Sequence, residues 1–133
     1  MNRLVLEASA ALRLIADRAG PGIGHALAVA DDVVVPSLFC AEVGEALRAH
    51  VYARRITAAQ AAVHLEDLLA LAGDIVPESG LMAEALSEAC RLDHPVRDAV
   101  YVVLARRLGA PLATCDARVA GLASTLGVPV IGC

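Results

Sequence analysis

Four acidic side chains fall at positions where a folded chain could use them for chemistry. Glu7 directly follows an apolar run at residues 4–6, and Asp116 comes just after a second apolar run at residues 112–114. If both runs are strands of one parallel sheet, their carboxyl ends lie at the edge where ligands bind in such sheets. Each acid also has a structural alternative, since an acid that precedes a helix can cap it, although glutamate is a poor cap.

Two further acids lie on predicted helices. Glu42 borders an apolar stripe at helical spacing, and a half-buried carboxylate needs a partner such as a metal ion or an arginine. Its alternative is an acid on the exposed rim of the helix. Asp98 opens a helix that is apolar on nearly every side, where it could complement the helix dipole. The helix dipole would account for the position of Asp98 at the start of a helix. It does not account for the matching positions of the other acids.

Several other catalytic patterns are missing from the sequence. It has no G-x-S-x-G turn, its four histidines show no zinc-binding spacing, and all eleven basic residues are arginines. The lack of lysine excludes a P-loop ATPase, a Schiff-base enzyme and a phosphoacceptor receiver domain. We expect Ser9 to cap the first helix rather than act as a nucleophile. The four cysteines form no C-x-x-C pair, and we expect them to be reduced and mostly buried thiols.

Length and composition favour one folded domain over residues 1–133. Hydrophobic residues make up 58% of the chain and charged residues 20%, which excludes intrinsic disorder. The net charge of −4 argues against a protein that binds nucleic acid through bulk positive charge. The longest uncharged stretch, residues 119–133, is too short and too interrupted by Gly and Pro to span a membrane. An acid follows the first residues too closely for a signal peptide, so we expect a soluble cytoplasmic protein.

Short apolar runs alternate with helical segments along the chain. Predicted strands cover residues 4–6, 33–35, 74–77, 112–114 and 128–131. Predicted helices cover 8–16, 24–30, 37–54, 57–71, 78–92, 95–108 and 116–126, with Ser37 and Thr57 as caps. Strands separated by helices pair in parallel through right-handed crossovers, and strands without polar alternation suit a sheet covered on both faces. The pattern predicts a three-layer α/β domain.

The four acids and their surroundings resemble the four motifs of PIN-domain nucleases. In the family's order, the similar segments are residues 4–12, 36–43, 95–101 and 112–119. The resemblance covers essentially the whole chain. The chain length is typical of the VapC type, the ribonuclease toxin of a bacterial toxin–antitoxin pair.

The resemblance implies a PIN-like α/β/α fold with a five-stranded parallel sheet in the order 3-2-1-4-5. In that order Glu7 and Asp116 would face each other across a cleft. It also implies that the catalytic, metal-binding acids are Glu7, Glu42, Asp98 and Asp116, and that the residues supporting them are Ser9 and Thr114. Converging carboxylates repel, so their pKa values should rise until a divalent ion binds. Oxygen ligands suit Mg²⁺ or Mn²⁺, which can activate water for phosphodiester hydrolysis.

The resemblance further implies partners. They are an RNA substrate, a cognate antitoxin that restrains the nuclease, and a second copy of the chain in a homodimer. Apolar surface on the helices between Thr57 and Leu92 is the expected place for protein partners. The arginines that could hold the RNA backbone are Arg13, Arg97, Arg106 and Arg107.

The first acid departs from the family pattern, which has Asp where this chain has Glu7. The extra methylene moves the carboxylate by about 1.5 Å, and Mg²⁺ tolerates poor geometry badly. Either the backbone compensates, or the protein prefers Mn²⁺, or the domain is a weak or inactive member of the family. A second functional hypothesis is a degenerate domain that binds protein or RNA without cleavage. An unrelated α/β domain that binds small molecules is a further alternative, disfavoured because the sequence lacks a glycine-rich phosphate loop.

Overall fold

A computed structural model describes residues 2–16 and 19–133 of the chain. Its sheet consists of β1 (Arg3–Leu6), β2 (Asp32–Pro36), β3 (Asp74–Val76), β4 (Leu112–Ala113) and β5 (Val130–Ile131). Neighbouring strands pair in parallel in the order β3-β2-β1-β4-β5. The structure therefore confirms both the five-stranded parallel sheet and its order.

Seven α-helices lie in the described residues and flank the sheet. They are α1 (Ala8–Ile15), α2 (Gly20–Val29), α3 (Leu38–Tyr52), α4 (Ala58–Leu71), α5 (Met82–Leu92), α6 (Val96–Leu108) and α7 (Ala117–Thr125). Helices α1, α3 and α4 pack together, and α5, α6 and α7 form a second group. None of the helices within residues 2–16 and 19–133 has the length and apolar character needed to cross a membrane.

Two predicted helices begin at other residues than expected. Helix α2 starts at Gly20 rather than at residue 24, because Pro21 fits the first turn of a helix. The segment predicted to be helical from residue 78 begins with a short 3₁₀ turn, Glu78–Gly80, before α5 starts at Met82. The other predicted helices and strands are present with small shifts at their ends.

The core is aliphatic, as the near absence of aromatic residues requires. Residues 99–105 of α6 are all buried, which is why this helix shows no polar face. Helix α6 packs on β1, β2 and β4. Phe39 of α3 is fully buried and, with Tyr101 of α6, is among the largest buried side chains. These contacts fix the two helices that carry Glu42 and Asp98.

The two predicted helix caps have different outcomes. Thr57 caps α4 in a capping box, accepting a hydrogen bond from the Gln60 N–H at 3.1 Å while the Gln60 side chain accepts one from the Thr57 N–H at 2.9 Å. Ser37 precedes α3 but does not cap it, so that expectation is wrong. Its hydroxyl donates instead to Glu78, because the neighbouring strands β2 and β3 end beside each other.

The cysteines differ from the expected set of reduced, mostly buried thiols. Cys115 follows β4 and Cys133 follows β5, and these strands are neighbours. The two residues therefore lie 5.2 Å apart between Cα atoms and form a disulfide. Cys40 is half-buried and Cys90 is exposed. The expectation is thus wrong both for the pairing of Cys115 and Cys133 and for the burial of Cys90.

Candidate active site

The candidate site lies where β1 and β4 end, on either side of the point at which strand order reverses. Leu6 is in register with Ala113, and the Glu7 N–H donates to the Ala113 carbonyl at 3.0 Å. Thr114 and Asp116 follow β4 directly. The sheet therefore brings two segments more than a hundred residues apart in sequence to one edge, which is where ligands bind in open parallel sheets.

Glu7 is buried, with 7% of its surface exposed, and one of its two carboxylate oxygens is fully engaged. Oε2 accepts hydrogen bonds from the Ser9 N–H at 3.0 Å, from the Ser9 hydroxyl, and from the Thr114 hydroxyl at 2.9 Å. Glu7 thus caps α1, and the expectation that Ser9 is that cap is wrong. Within the described residues, Oε1 of Glu7 has no hydrogen-bond partner.

Ser9 and Thr114 connect Glu7 to the segment after β4. The Ser9 hydroxyl accepts a hydrogen bond from the Cys115 N–H at 2.9 Å, and its oxygen lies 3.3 Å from that of Thr114. The Thr114 hydroxyl in turn accepts one from the Asp116 N–H at 3.1 Å. The two hydroxyls therefore contact Glu7 and also fix the backbone that carries Asp116.

Asp116 also divides its oxygens between two environments. Its Oδ1 accepts hydrogen bonds from the Arg118 N–H at 2.8 Å and the Val119 N–H at 3.3 Å, and so caps α7. The hydrogen bonds of the described residues leave Oδ2 unengaged. The interpretation of Asp116 as a helix cap is therefore correct for Oδ1. Capping leaves Oδ2 available to a ligand.

Glu42 and Asp98 approach from helices. Glu42 of α3 is half-buried, and its Oε1 accepts a hydrogen bond from the Tyr101 hydroxyl at 2.6 Å. Asp98 lies in the first turn of α6, and neither of its oxygens has a hydrogen-bond partner in the described part of the chain. Tyr101 was not among the site residues predicted from the sequence. Its signal was a single polar aromatic residue inside a helix segment that is otherwise aliphatic.

Charges within the group of four acids act on the pKa values of three of them. Burial raises the pKa of Glu7, Glu42 and Asp98. The charge of Asp116 further raises the pKa of Glu7 and of Asp98, while the charges of Glu7 and Asp98 raise that of Glu42. Hydrogen bonds from Ser9, Thr114 and Tyr101 partly offset these effects. The pKa of each of these three carboxylates is thus raised by the charge of at least one other acid.

Two arginines stand close enough to the cluster to act on its charges. Arg97 lowers the pKa of both Glu42 and Asp98, and Arg118 lowers that of Asp98. Both arginines are exposed. Arg118 was not among the arginines proposed from the sequence.

Arg106 and Arg107 are occupied elsewhere, at the contact between α5 and α6. Arg106 binds Glu84 at 2.8 Å and Glu88 at 2.7 Å, and Arg107 binds Glu84 at 2.6 Å. These ion pairs hold the two helices together. They remove the two arginines from the set available to a ligand at the acidic cluster.

The donor set fits a hard divalent cation. Glu7, Glu42 and Asp116 each have one oxygen anchored by protein hydrogen bonds and one without a partner, and Asp98 has two such oxygens. Carboxylate oxygens are the ligands that Mg²⁺ and Mn²⁺ prefer. Across residues 2–16 and 19–133, no three acidic, His or Cys side chains are already close enough to hold a metal ion. A bound ion would therefore have to draw the unengaged oxygens together.

The sequence matches a family model and curated relatives. Residues 4–124 match the family model of the PIN domain. Ribonuclease VapC12 of Mycobacterium tuberculosis is 35% identical over 118 residues, which cover 88% of this chain and 89% of the relative. Ribonuclease VapC1 of the same organism is 33% identical over 132 residues, covering 97% of this chain and 95% of the relative.

Solved structures share the fold. PAE2754 from Pyrobaculum aerophilum superposes with a TM-score of 0.75 at 20% identity, covering 98% of this chain and 90% of that one. FitAcB from Neisseria gonorrhoeae gives a TM-score of 0.65 at 16% identity, with 96% of each chain covered. At these identities the likeness concerns the arrangement of strands and helices, and it confirms the α/β/α architecture.

The raised pKa of Asp98 predicts how stability depends on pH when no metal is present. The folded state disfavours ionised Asp98, so ionisation of this side chain lowers the stability of the fold. This loss of stability is absent at pH values below the ordinary carboxyl pKa and complete above the raised pKa of Asp98. In a chelator, the Tm of Asp98→Asn relative to wild type should therefore rise by a few degrees from about pH 4 to about pH 8. Thermal melts across this range measure it.

Glu45→Gln is the control of opposite sign for this measurement. The hydrogen bonds and charge of Arg48 lower the pKa of Glu45, so its stabilising contribution is lost as pH falls. The Tm of Glu45→Gln relative to wild type should fall as pH rises. An Asp98→Asn difference that follows the Glu45→Gln trend contradicts the assignment of Asp98 to a repulsive cluster.

Proposed function

The chain belongs to the PIN domain family, and from that membership we propose that it is a metal-dependent endoribonuclease, the toxin of a toxin–antitoxin pair. The observation that carries the proposal is the cluster of four carboxylates at one edge of the sheet, each with an unengaged oxygen. The cluster consists of Glu7, Glu42, Asp98 and Asp116. One PIN-like domain over residues 1–133 contains all of it.

Mg²⁺ or Mn²⁺ is the cofactor that this donor set supports. When bound, the ion supplies Lewis-acid polarisation of the phosphodiester and a water of lowered pKa. The chain's own contribution is to hold the ligands from two directions. Glu7 and Asp116 are fixed at strand ends through their anchored oxygens, whereas Glu42 and Asp98 are placed by α3 and α6.

Ser9 and Thr114 act as supports of Glu7 in this proposal. Three donors on Oε2 fix the orientation of the carboxylate, so that Oε1 keeps a constant position relative to the end of β4. Loss of a group that holds a metal ligand in place typically lowers metal affinity or activity by about tenfold to a hundredfold.

We propose that the glutamate at position 7, where the family has Asp, is compatible with an active site. The longer side chain has its own set of donors, since the Ser9 N–H, the Ser9 hydroxyl and the Thr114 hydroxyl all reach its Oε2. A site adapted to glutamate explains these contacts. A buried carboxylate needs such donors in any role, so RNA cleavage, and not these hydrogen bonds, distinguishes the nuclease from a domain that binds without cleaving.

Arg97 and Arg118 are the groups that support binding of the RNA backbone. Both are exposed and close enough to lower the pKa of Asp98. Their charges could bind phosphates on either side of the scissile bond, because the acidic cluster alone would repel a polyanion. The net charge of −4 does not oppose this arrangement, since the positive groups and the bound cation are local.

The antitoxin is the proposed protein partner. Two adjoining apolar hollows share Ile15 and His64. One, of about 400 Å³, lies among α1, α3 and α4, and the other, of about 540 Å³, lies among α1, α2 and α4. Exposed apolar residues also occur in the region between Thr57 and Leu92, namely Val63, Ile75, Met82 and Leu86. These surfaces supply apolar area for an antitoxin segment and for a second copy of the chain in a homodimer.

The cytoplasm is the proposed location, where RNA is available to the nuclease. In a reducing compartment, a disulfide such as Cys115–Cys133 is exposed to reduction by small thiols and dithiol proteins. The neighbouring strands β4 and β5 would still hold the two sulfur atoms near each other.

The proposed activity predicts RNA cleavage that requires both a divalent ion and Asp98. Purified protein should cleave RNA with Mn²⁺ or Mg²⁺, and a chelator should abolish the cleavage. Asp98→Asn should lower kcat at least about a hundredfold, because a carboxylate that holds the ion is lost. Gel assays with defined RNA measure both effects.

Asp93→Asn is the matched control, since it makes the same chemical change at an exposed position one turn before α6. Asp93 has a positive φ of 53°, which asparagine also tolerates. Its kcat should equal that of wild type. RNA binding without cleavage in every metal tested would favour the binding-only alternative.

Glu7→Asp should lower activity rather than restore it. Shortening the side chain by about 1.5 Å withdraws Oε2 from its donors on Ser9 and Thr114. We expect kcat/KM to fall about tenfold, and the free energy of unfolding to fall by about 1–3 kcal/mol because buried donors lose their acceptor. Steady-state kinetics and urea unfolding measure these changes.

Glu66→Asp, at an exposed position on α4, is the control for this prediction. A gain in cleavage by Glu7→Asp would show that the native residue is a handicap.

Arg97→Gln and Arg118→Gln should weaken RNA binding more than catalysis. KM should rise about threefold to tenfold at low salt, and the salt dependence of binding should decrease by about one ion per lost phosphate contact. Fluorescence anisotropy with a non-cleaved RNA analogue measures this salt dependence as the slope of log affinity against log salt concentration. Arg3→Gln removes the same charge at the amino end of β1, on the opposite edge of the sheet, and should leave the slope unchanged. Equal effects of all three variants would indicate a bulk charge effect.

A further inference from the structure

Tyr101 is a buried phenol at a position where the surrounding helix favours aliphatic residues. The side chain is 1% exposed, and every other residue from 99 to 105 is Ala, Val or Leu. A phenylalanine would fill the same volume without the cost of burying a hydroxyl. The hydroxyl therefore needs an explanation, and its partner supplies one.

That partner is Glu42, on another helix and 59 residues away in sequence. The Tyr101 hydroxyl donates to Glu42 Oε1 at 2.6 Å, a short distance typical of a hydrogen bond to a carboxylate. Helix α3 packs chiefly on α1 and α4, whereas α6 packs on α5, α7 and the sheet. Among the described residues, this pair provides the hydrogen bond that joins α3 to α6.

Helix α6 therefore supplies two elements of the acidic cluster from one side. Asp98 and Tyr101 are three residues apart, and residues at this spacing are neighbours on a helix surface. Asp98 contributes its own carboxylate, and Tyr101 holds the carboxylate of Glu42. The position of Glu42 relative to Asp98 thus depends on a contact made by α6, not on α3 alone.

We propose that Tyr101 is a positioning residue, which fixes Glu42 through Oε1 and leaves Oε2 available to the divalent ion that the acids would hold. This inference rests on the proposed function. A glutamate has several rotatable bonds, and a single fixed hydrogen bond removes most of the freedom of its carboxylate. Because Tyr101 is buried, it acts through Glu42 and does not touch RNA.

The test is Tyr101→Phe, which keeps the ring and removes only the hydroxyl. The affinity of the purified protein for Mn²⁺, measured by titration calorimetry, should fall about tenfold, as expected when a group that orients a metal ligand is removed. The kcat for RNA cleavage should fall by a similar factor, while KM for RNA should stay unchanged. Tyr52→Phe is the control, because it makes the same change on α3 at a residue that is 85% exposed.

A double-mutant cycle shows whether the effect passes through Glu42. In the Glu42→Ala background, where the acceptor is already gone, Tyr101→Phe should cause no further loss of Mn²⁺ affinity. Equal losses in both backgrounds would overturn the inference, since Tyr101 would then act by another route.

The outcomes separate this inference from the proposed function. A wild-type protein that neither binds Mn²⁺ nor cleaves RNA overturns the proposed function and the positioning role together. An active wild type whose Tyr101→Phe variant retains its Mn²⁺ affinity and kcat overturns the positioning role alone. A variant with a lower Tm but unchanged affinity and kcat also overturns the positioning role, because the hydroxyl would then serve the fold only.

Discussion

The burial of carboxylates beside one another is the constraint on which the organisation of this site depends. Burial alone already disfavours ionised Glu7, Glu42 and Asp98, and the nearby charges add to that cost. The fold offsets the cost with donors placed on single oxygens: hydroxyls and an N–H on Glu7, a phenol on Glu42, and backbone N–H groups on Asp116. A rigid parallel sheet is needed to keep these groups assembled against the repulsion.

The fold and the positions of the acids could be predicted because they depend on local patterns. Apolar runs without alternation indicated a parallel sheet covered on both faces, and the alternation with helices indicated crossovers. Glu7 and Asp116 could be placed at the site because each comes within a few residues of a strand end. Helical spacing placed Glu42 at the border of the buried stripe, where the structure also has it.

The partners of these acids could not be predicted, because they are set by contacts between distant segments. Nothing near Glu42 in the sequence indicates that its acceptor oxygen meets a phenol on α6. Ser37 sits where a cap belongs, yet its hydroxyl binds Glu78, which follows the neighbouring strand. The Cys115–Cys133 pair likewise follows from the adjacency of β4 and β5. Spacing along the chain does not encode such pairs.

For Glu7 and Asp116, capping a helix and binding a cation do not exclude each other. A carboxylate has two oxygens, and a helix cap or a buried hydrogen bond uses only one of them. Glu7 caps α1 and Asp116 caps α7, each through one oxygen, while the second oxygen has no partner among the described residues. A cap thereby becomes a means of orienting a ligand, because fixing one oxygen fixes the direction of the other. At the carboxyl edge of a parallel sheet, evidence that an acid begins a helix therefore does not count against a role in binding a cation.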